Sequence, residues 1–189
     1  MRLLTSQDYR KTPWKNGGGV TEDVLLLPPG SSHEDFEIRI SRAPIVDESR
    51  FSVFHGIDRT ITRLGENPLT LCFADGSETE LAYLSPVSFD SALAPASRLP
   101  AGASRVMNVM TRRGRWRSTV SVLRADRQRQ EIPSGGMVVV HAAKGSCTVA
   151  GRKVAEGDTA IVEDLVDVLV AADDDGACLV AVISQEQAG

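Results

Sequence analysis

Histidine is scarce in this sequence of 189 residues: there are three, His33, His55 and His141, widely scattered along the chain. Metal centres draw their ligands from clustered His, Cys and carboxylate side chains, so no metal is expected and the imidazoles read as structural or surface groups. Cysteine is equally sparse. Cys72, Cys147 and Cys178 are odd in number and each sits in an apolar, strand-like run, which suits buried free thiols in a reducing compartment better than a disulfide framework. No serine lies in a G-x-S-x-G elbow and no cysteine has a base beside it in sequence, so nucleophilic catalysis has no local signature and no catalytic residue is assigned. Long apolar runs are also missing. Nothing approaches a membrane span, and Met1 to Arg10 has no apolar export core, so the expectation is a cytoplasmic protein with no membrane partner. A net charge of -4 argues against a dedicated nucleic-acid binder.

The chain does have the means to fold. Its hydrophobic fraction of 42% and charged fraction of 24% are ordinary for a soluble globular protein, and its length allows one large core or two small ones. The apolar pattern has period two almost throughout. In FEIRIS, Phe36, Ile38 and Ile40 point one way and Glu37, Arg39 and Ser41 the other. In RWRSTVSV, Trp116, Ser118, Val120 and Val122 share a face opposite Arg115, Arg117, Thr119 and Ser121. Further strands are expected at Thr21 to Leu27, Ile57 to Leu64, Leu69 to Phe73, Met137 to His141, Thr159 to Val162, Val166 to Ala171 and Cys178 to Ile183. Turns at PPG (28–30), ADG (74–76), SGG (134–136), EGD (156–158) and DDDG (173–176) separate them. No long stretch has helical periodicity, so the fold class is all-β: a sandwich, jelly roll or barrel.

The Ala, Ser and Pro-rich segment Ser91 to Ser104 breaks the strand rhythm and reads as a connection between halves of about 90 residues. The second half carries HAAKGSCTVAGRKVAEGDTAIVED, which resembles the closing hairpins of a cupin barrel.

Three stretches carry candidate chemistry. PWKNGGG, Pro13 to Gly19, is unlike a phosphate-binding P-loop, because Lys15 precedes the glycines and a strand, not a helix, follows. It reads either as a tight turn or as an anion-binding nest of backbone N–H groups flanked by Lys15 and Asn16. Arg105, Arg112, Arg113, Arg115, Arg117, Arg124, Arg127 and Arg129 cluster around Trp116; a solvated strand face accounts for them better than nucleic-acid binding. Asn108, Thr111, Arg112 and Arg113 place an amide and forked guanidinium donors within a few residues, which suits carboxylate recognition.

Four blocks, WKNGGGVTED (14–23), IRISRA (38–43), FSVFHGIDR (51–59) and NVMTRRG (108–114), together resemble the HutD/Ves family in order and spacing. The resemblance implies a bicupin: two cupin-type, jelly-roll-like β barrels in one chain, an N-terminal one at 1–95 and a C-terminal one at 96–189, packed as one unit with room for strand exchange. It also implies an accessory or regulatory protein of bacterial histidine utilisation, with urocanate, formiminoglutamate or formylglutamate as the type of ligand and no established catalytic reaction. The sequence departs from the family pattern at Ile38, Ser91 and Val106, and the missing acid at Val106 bears on any polar network there.

The expected site is therefore metal-free and cofactor-free. It binds a small anionic metabolite through Lys15, Asn16, Gly18, Glu22, Arg39, Ser41, Arg59, Asn108, Arg112 and Arg113. Arg39 on the inner face of a strand needs a partner, and Glu22, Asp58 or a ligand carboxylate is expected to supply it. The rival is a metal-independent isomerase or hydrolase acting on a small acid, with Glu22 and Asp58 or His55 as acid and base. A homodimer is compatible with cupin-type sheet edges.

Overall fold

The computed structural model describes residues 1–13 and 20–186. Strand β1 (Arg2–Leu4) is followed by β2 (Arg10–Pro13), β3 (Val20–Leu27), β4 (Ile38–Ile45), β5 (Ile57–Arg63) and β6 (Thr70–Cys72). Next come β7 (Glu78–Glu80), β8 (Pro86–Asp90), a single 3-10 turn at Ser91–Leu93, β9 (Ala96–Arg98) and β10 (Ser104–Arg112). The remainder is β11 (Trp116–Arg124), β12 (Arg127–Glu131), β13 (Met137–Lys144), β14 (Cys147–Val149), β15 (Arg152–Val154), β16 (Thr159–Val162), β17 (Asp167–Ala172) and β18 (Ala177–Gln185). The fold is all-β, and no helix among the described residues is long and apolar enough to cross a membrane.

The chain divides into two compact units. The first is Arg10–Arg113. The second is Met1–Tyr9 together with Gly114–Gly189. Ser91 to Ser104, expected to join two halves, instead lies within the first unit as the 3-10 turn, β9 and the entry to β10. The reason is local hydrogen bonding: the buried Ser97 hydroxyl accepts from the Ser49 amide at 3.0 Å, while β9 pairs with β6.

Each unit consists of two open antiparallel sheets, which corrects the expectation of closed barrels. In the first unit the wide sheet has the order β2-β3-β4-β10-β5-β8 and the narrow one β7-β6-β9. In the second the orders are β1-β16-β13-β18-β11 and β12-β17-β14-β15. Alternation is clear on the edge strand β11, where Arg117, Thr119 and Ser121 are exposed and Trp116, Ser118 and Val120 are half-buried. It fails on β4, where both Ile38/Ile40 and Arg39/Ser41 are buried. A strand covered on both faces loses the polar-out signal. Cys147 and Cys178 are buried as expected, whereas Cys72 is half-exposed.

The second unit's core is almost entirely aliphatic, built from Val138, Val140, Val149, Val154, Val162, Val168, Val170 and Val180 with Cys147 and Cys178. Each such side chain contributes about 1.5–3 kcal/mol by leaving water. The SGG turn feeding β13 requires its last glycine, because a Cβ on Gly136 would stand 2.3 Å from the Ile183 carbonyl. The first unit has two separate apolar clusters. One gathers Ile45, Ile61, Leu69, Leu71, Leu81 and Val106; the other gathers Phe36, Ile57 and Met110.

Candidate anion-binding site

A polar band lies between those two clusters. Along β5, Ile57 and Ile61 flank Arg59; along β10, Met110 and Val106 flank Asn108. Residues directly opposite across a sheet share a face. One such row runs Leu26, Arg39, Met110, Arg59 and Phe89, and the next runs Asp23, Ser41, Asn108, Ile61 and Val87. Arg39, Ser41, Arg59 and Asn108, four of the residues singled out from the sequence, therefore share one face in two adjacent rows. All four are buried.

Arg39 has a structural partner. Its Nε donates to Asp23 Oδ1 at 2.7 Å, and the other oxygen of the buried Asp23 lies 2.8 Å from His33 Nε2. The sequence pointed to Glu22 or Asp58 for this pairing. Glu22 instead accepts from Arg42 at 3.0 and 2.6 Å, a pair set on the opposite face of the sheet. The cause is a β-bulge: the β3–β4 register shifts between Asp23 and Leu25, so Asp23 and Leu26 share a face that strict alternation would assign to Asp23 and Leu25.

Arg59 is different. It is 5% exposed, makes no salt bridge among the described residues, and its Nε has no hydrogen-bond partner. Three aromatic rings surround the guanidinium, with the Phe51, Phe54 and Phe89 centroids 5.5, 5.6 and 5.8 Å from its central carbon. Cation–π attraction, up to about 2 kcal/mol for a desolvated contact, offsets part of the penalty of burying a cation. Burial first, and the positive charge of Arg39 second, push the guanidinium down from its ordinary value to about 10, so it remains a cation at neutral pH. Asn108 Oδ1, one row away, is also buried without a partner among the described residues. Buried polar groups in native proteins are nearly always paired; among the described residues these two stand unpaired in neighbouring rows of one face, and Ser91 Oγ, Thr111 Oγ1 and Gln130 Nε2 are unpaired elsewhere. A forked cation walled by phenyl rings suits a planar carboxylate, whereas the unpaired Asn108 Oδ1, an acceptor, is open to a donor.

The other expected site residues lie elsewhere. Arg112 donates from Nε and Nη2 to the Phe36 carbonyl at 3.2 and 2.9 Å and closes the end of the Phe36, Ile57 and Met110 cluster. Arg113 is half-exposed and bridges Asp58 and Asp90, two carboxylates directly opposite each other on β5 and β8. The Asp58 hydrogen bond, followed by that of Asp90, holds the Arg113 guanidinium above its ordinary range. Of the acid/base candidates, Glu22 and Asp58 are thus engaged in ion pairs outside the band, and His55 is exposed. Lys15, Asn16 and Gly18 lie outside the described residues. Among the described residues no group of three or more His, Cys, Asp or Glu side chains is placed to hold a metal ion.

Sequence reasoning did not pick out Asp23, His33 or the aromatic walls as site residues. The bulge hides Asp23, and nothing in the spacing between His33 and Asp23 announces their contact. Phe51 and Phe54 had a signal: they stand in FSVFHGIDR just ahead of Arg59, on the loop that enters β5.

A family model described as HutD matches residues 6–180. The chain is 31% identical over 156 residues to an uncharacterised 21.2 kDa protein of the hutC 3′ region of Pseudomonas putida, covering 82% of this chain and 80% of that one. It is 35% identical over 136 residues to protein Ves of Citrobacter koseri, covering 70% and 69%. Among solved structures it is similar to HutD of Pseudomonas fluorescens SBW25, with a TM-score of 0.85, 26% identity, and coverage of 98% and 99%. It also shares the all-β, cupin-like fold of YhhW of Escherichia coli, with a TM-score of 0.68 at 10% identity over 100% of this chain and 99% of that one.

Proposed function

The chain belongs to the HutD family, and from that premise we propose that it is an accessory or regulatory protein of bacterial histidine utilisation that binds a small carboxylate at Arg59. The ligand is of the urocanate, formiminoglutamate or formylglutamate type. Its carboxylate takes the open donors of Arg59, with Asn108 and the Nη groups of Arg39 alongside and no metal or cofactor required. The observation that carries this reading is the buried Arg59, which has no acidic partner among the described residues. A cation in that position destabilises the empty protein unless an anion arrives, and the paired Arg39 beside it discourages any cationic occupant. The HutD structure of P. fluorescens is described in a formate condition, and formate is the smallest carboxylate. In the same reading the two units are cupin-type modules of a cytoplasmic protein, free to form a homodimer.

A thermal-shift titration with urocanate, formiminoglutamate, formylglutamate, glutamate and formate tests this. A specific ligand at one hundred times its dissociation constant adds about 2.7 kcal/mol, roughly 5 to 10 °C for a chain of this size. The expected result is a shift with one of the acids that disappears in Arg59→Met. No shift with any of them overturns the reading.

A second reading, a metal-independent isomerase or hydrolase of a small acid, is favoured by one contact. His33 Nε2 lies 2.8 Å from Asp23, which holds Arg39, so an imidazole and a carboxylate stand at the edge of the band. Turnover of a bound acid in the presence of chelator, abolished by His33→Gln, would select it over simple binding.

A further inference from the structure

Beside the band the first unit has a cleft of about 380 Å³, lined by Phe73, Ala74, Asp75, Ser77, Phe89 and Leu93. Phe89 belongs to both places. It stands directly opposite Arg59 on the neighbouring strand, its ring 5.8 Å from the guanidinium carbon, and the Phe73 ring meets it edge-on at 5.8 Å. Leu93 forms another wall. It is 54% exposed at the end of the single 3-10 turn, and the chain holds it there deliberately: Asp90 accepts from the Ala92 amide at 2.9 Å at the start of the turn. Ala94 then closes the turn at φ 39°, ψ 60°. That left-handed conformation is unfavourable for a residue with a Cβ, and such strain persists where the surroundings enforce it. At the far rim, Asp75 accepts from the Ser77 hydroxyl and amide at 2.6 and 2.9 Å, which holds its carboxyl below the usual carboxylate range.

We infer that the anion held at Arg59 is a monocarboxylate with a hydrocarbon arm, which lies along Phe89 into the cleft between Phe73 and Leu93. This rests on the anion-site reading and narrows it: of the three ligand types it keeps the monocarboxylate urocanate and sets aside the dicarboxylates formiminoglutamate and formylglutamate. Two phenyl rings and a leucine offer apolar surface with no donor for a second anion. The ionised Asp75 repels a carboxylate at the distal end of the arm. The cleft therefore selects monocarboxylates over dicarboxylates of equal length, and longer arms over shorter ones.

The test compares acetate, hexanoate, adipate and hexanamide on the full chain by calorimetric titration. Hexanoate is expected to bind about tenfold tighter than acetate, the worth of roughly two methylenes transferred from water. Adipate is expected to be no better than acetate, and hexanamide not to bind. In Leu93→Asp, and separately in Ala74→Trp, which fills the cleft from an exposed position, the hexanoate-to-acetate ratio is expected to fall to about one. A ratio near one in the unmodified protein, adipate as the tightest ligand, or a ratio that both variants leave intact overturns the inference while the anion site stands. Failure of every carboxylate to bind overturns the anion site itself, and this inference with it.

Discussion

In the second unit, the sheet face bearing Val138, Val140, Val180 and Val182 meets Cys147, Val149, Val168 and Val170, and all of these positions are apolar. On the wide sheet of the first unit the middle rows hold two arginines, an aspartate and an asparagine, with apolar clusters above and below. Both are antiparallel sheets of similar strand length, so strand geometry does not account for the difference. The second unit comes close to the rule that burial stabilises when nothing polar is stranded, with Gln130 Nε2 its one buried unpaired side-chain atom among the described residues. The first strands four such atoms, on Arg59, Ser91, Asn108 and Thr111, of which Arg59 alone carries a charge, while Arg39 is matched by Asp23. Places where a sequence departs from its own folding logic without compensation are where function is expected.

The sharpest way to break the comparison is to make the second unit resemble the first. Val140→Arg puts a cation among valines with no acid or aromatic ring provided for it. The expected loss is more than about 5 kcal/mol, enough to prevent folding. A folded variant with a small loss in denaturant unfolding would show that an arginine is tolerated in any sheet of this chain, and that Arg59 marks nothing.

Within the first unit the two arginines should behave in opposite ways. Arg39→Ala leaves the buried Asp23 carboxylate with His33 as its one remaining partner among the described residues and is expected to destabilise by about 3–5 kcal/mol in urea unfolding. Arg59→Met strands nothing. In the absence of ligand it is expected to stabilise by about 1–3 kcal/mol while abolishing carboxylate binding. The pH dependence checks the cause. Burial lowers the Arg59 guanidinium to about 10 in the folded chain, well below its ordinary value. Above pH 10 the unfolded chain holds the additional proton, so the parent gains stability as pH rises and the advantage of Arg59→Met shrinks. An advantage that stays constant from pH 7 to pH 11 would mean that the substitution acts through packing and not through charge.

The valine-rich second unit was the more legible from sequence. Met137 to His141, Thr159 to Val162 and Cys178 to Ile183 fall within β13, β16 and β18, because apolar strands flanked by Gly turns carry their own signal. In the first unit β10 escaped notice, although it is the central strand that pairs with both β4 and β5. SRVMNVMTR is buried on both faces and includes an asparagine and a threonine, so neither alternation nor an apolar run announces it. Arg39, Ser41 and Arg59 were found because they interrupt apolar strands that the sequence announces, whereas Asn108 was singled out by the NVMTRRG block. Their neighbours were not, since a bulge at Asp23–Leu25 and a loop carrying Phe51 and Phe54 are set by tertiary pairing, which the linear pattern does not encode.

The smallest effect expected on stability concerns Arg113, which the sequence placed among the ligand-binding residues. Both of its ion pairs are at the surface, where such pairs contribute little, so Arg113→Ala should leave the melting temperature nearly unchanged. Its reach toward the site is indirect. Arg113 holds Asp90, Asp90 caps the turn Ser91–Leu93, and that turn presents Leu93 to the cleft beside Phe89. Loosening Asp90 should therefore lower the preference for hexanoate over acetate without unfolding the chain, and Arg113→Lys, which keeps the charge near Asp90, should restore part of it. If Arg113→Ala leaves the ratio untouched, the ion-pair cluster serves only to neutralise two facing carboxylates on β5 and β8. The functional contrast between the units would then narrow to the buried rows around Arg59.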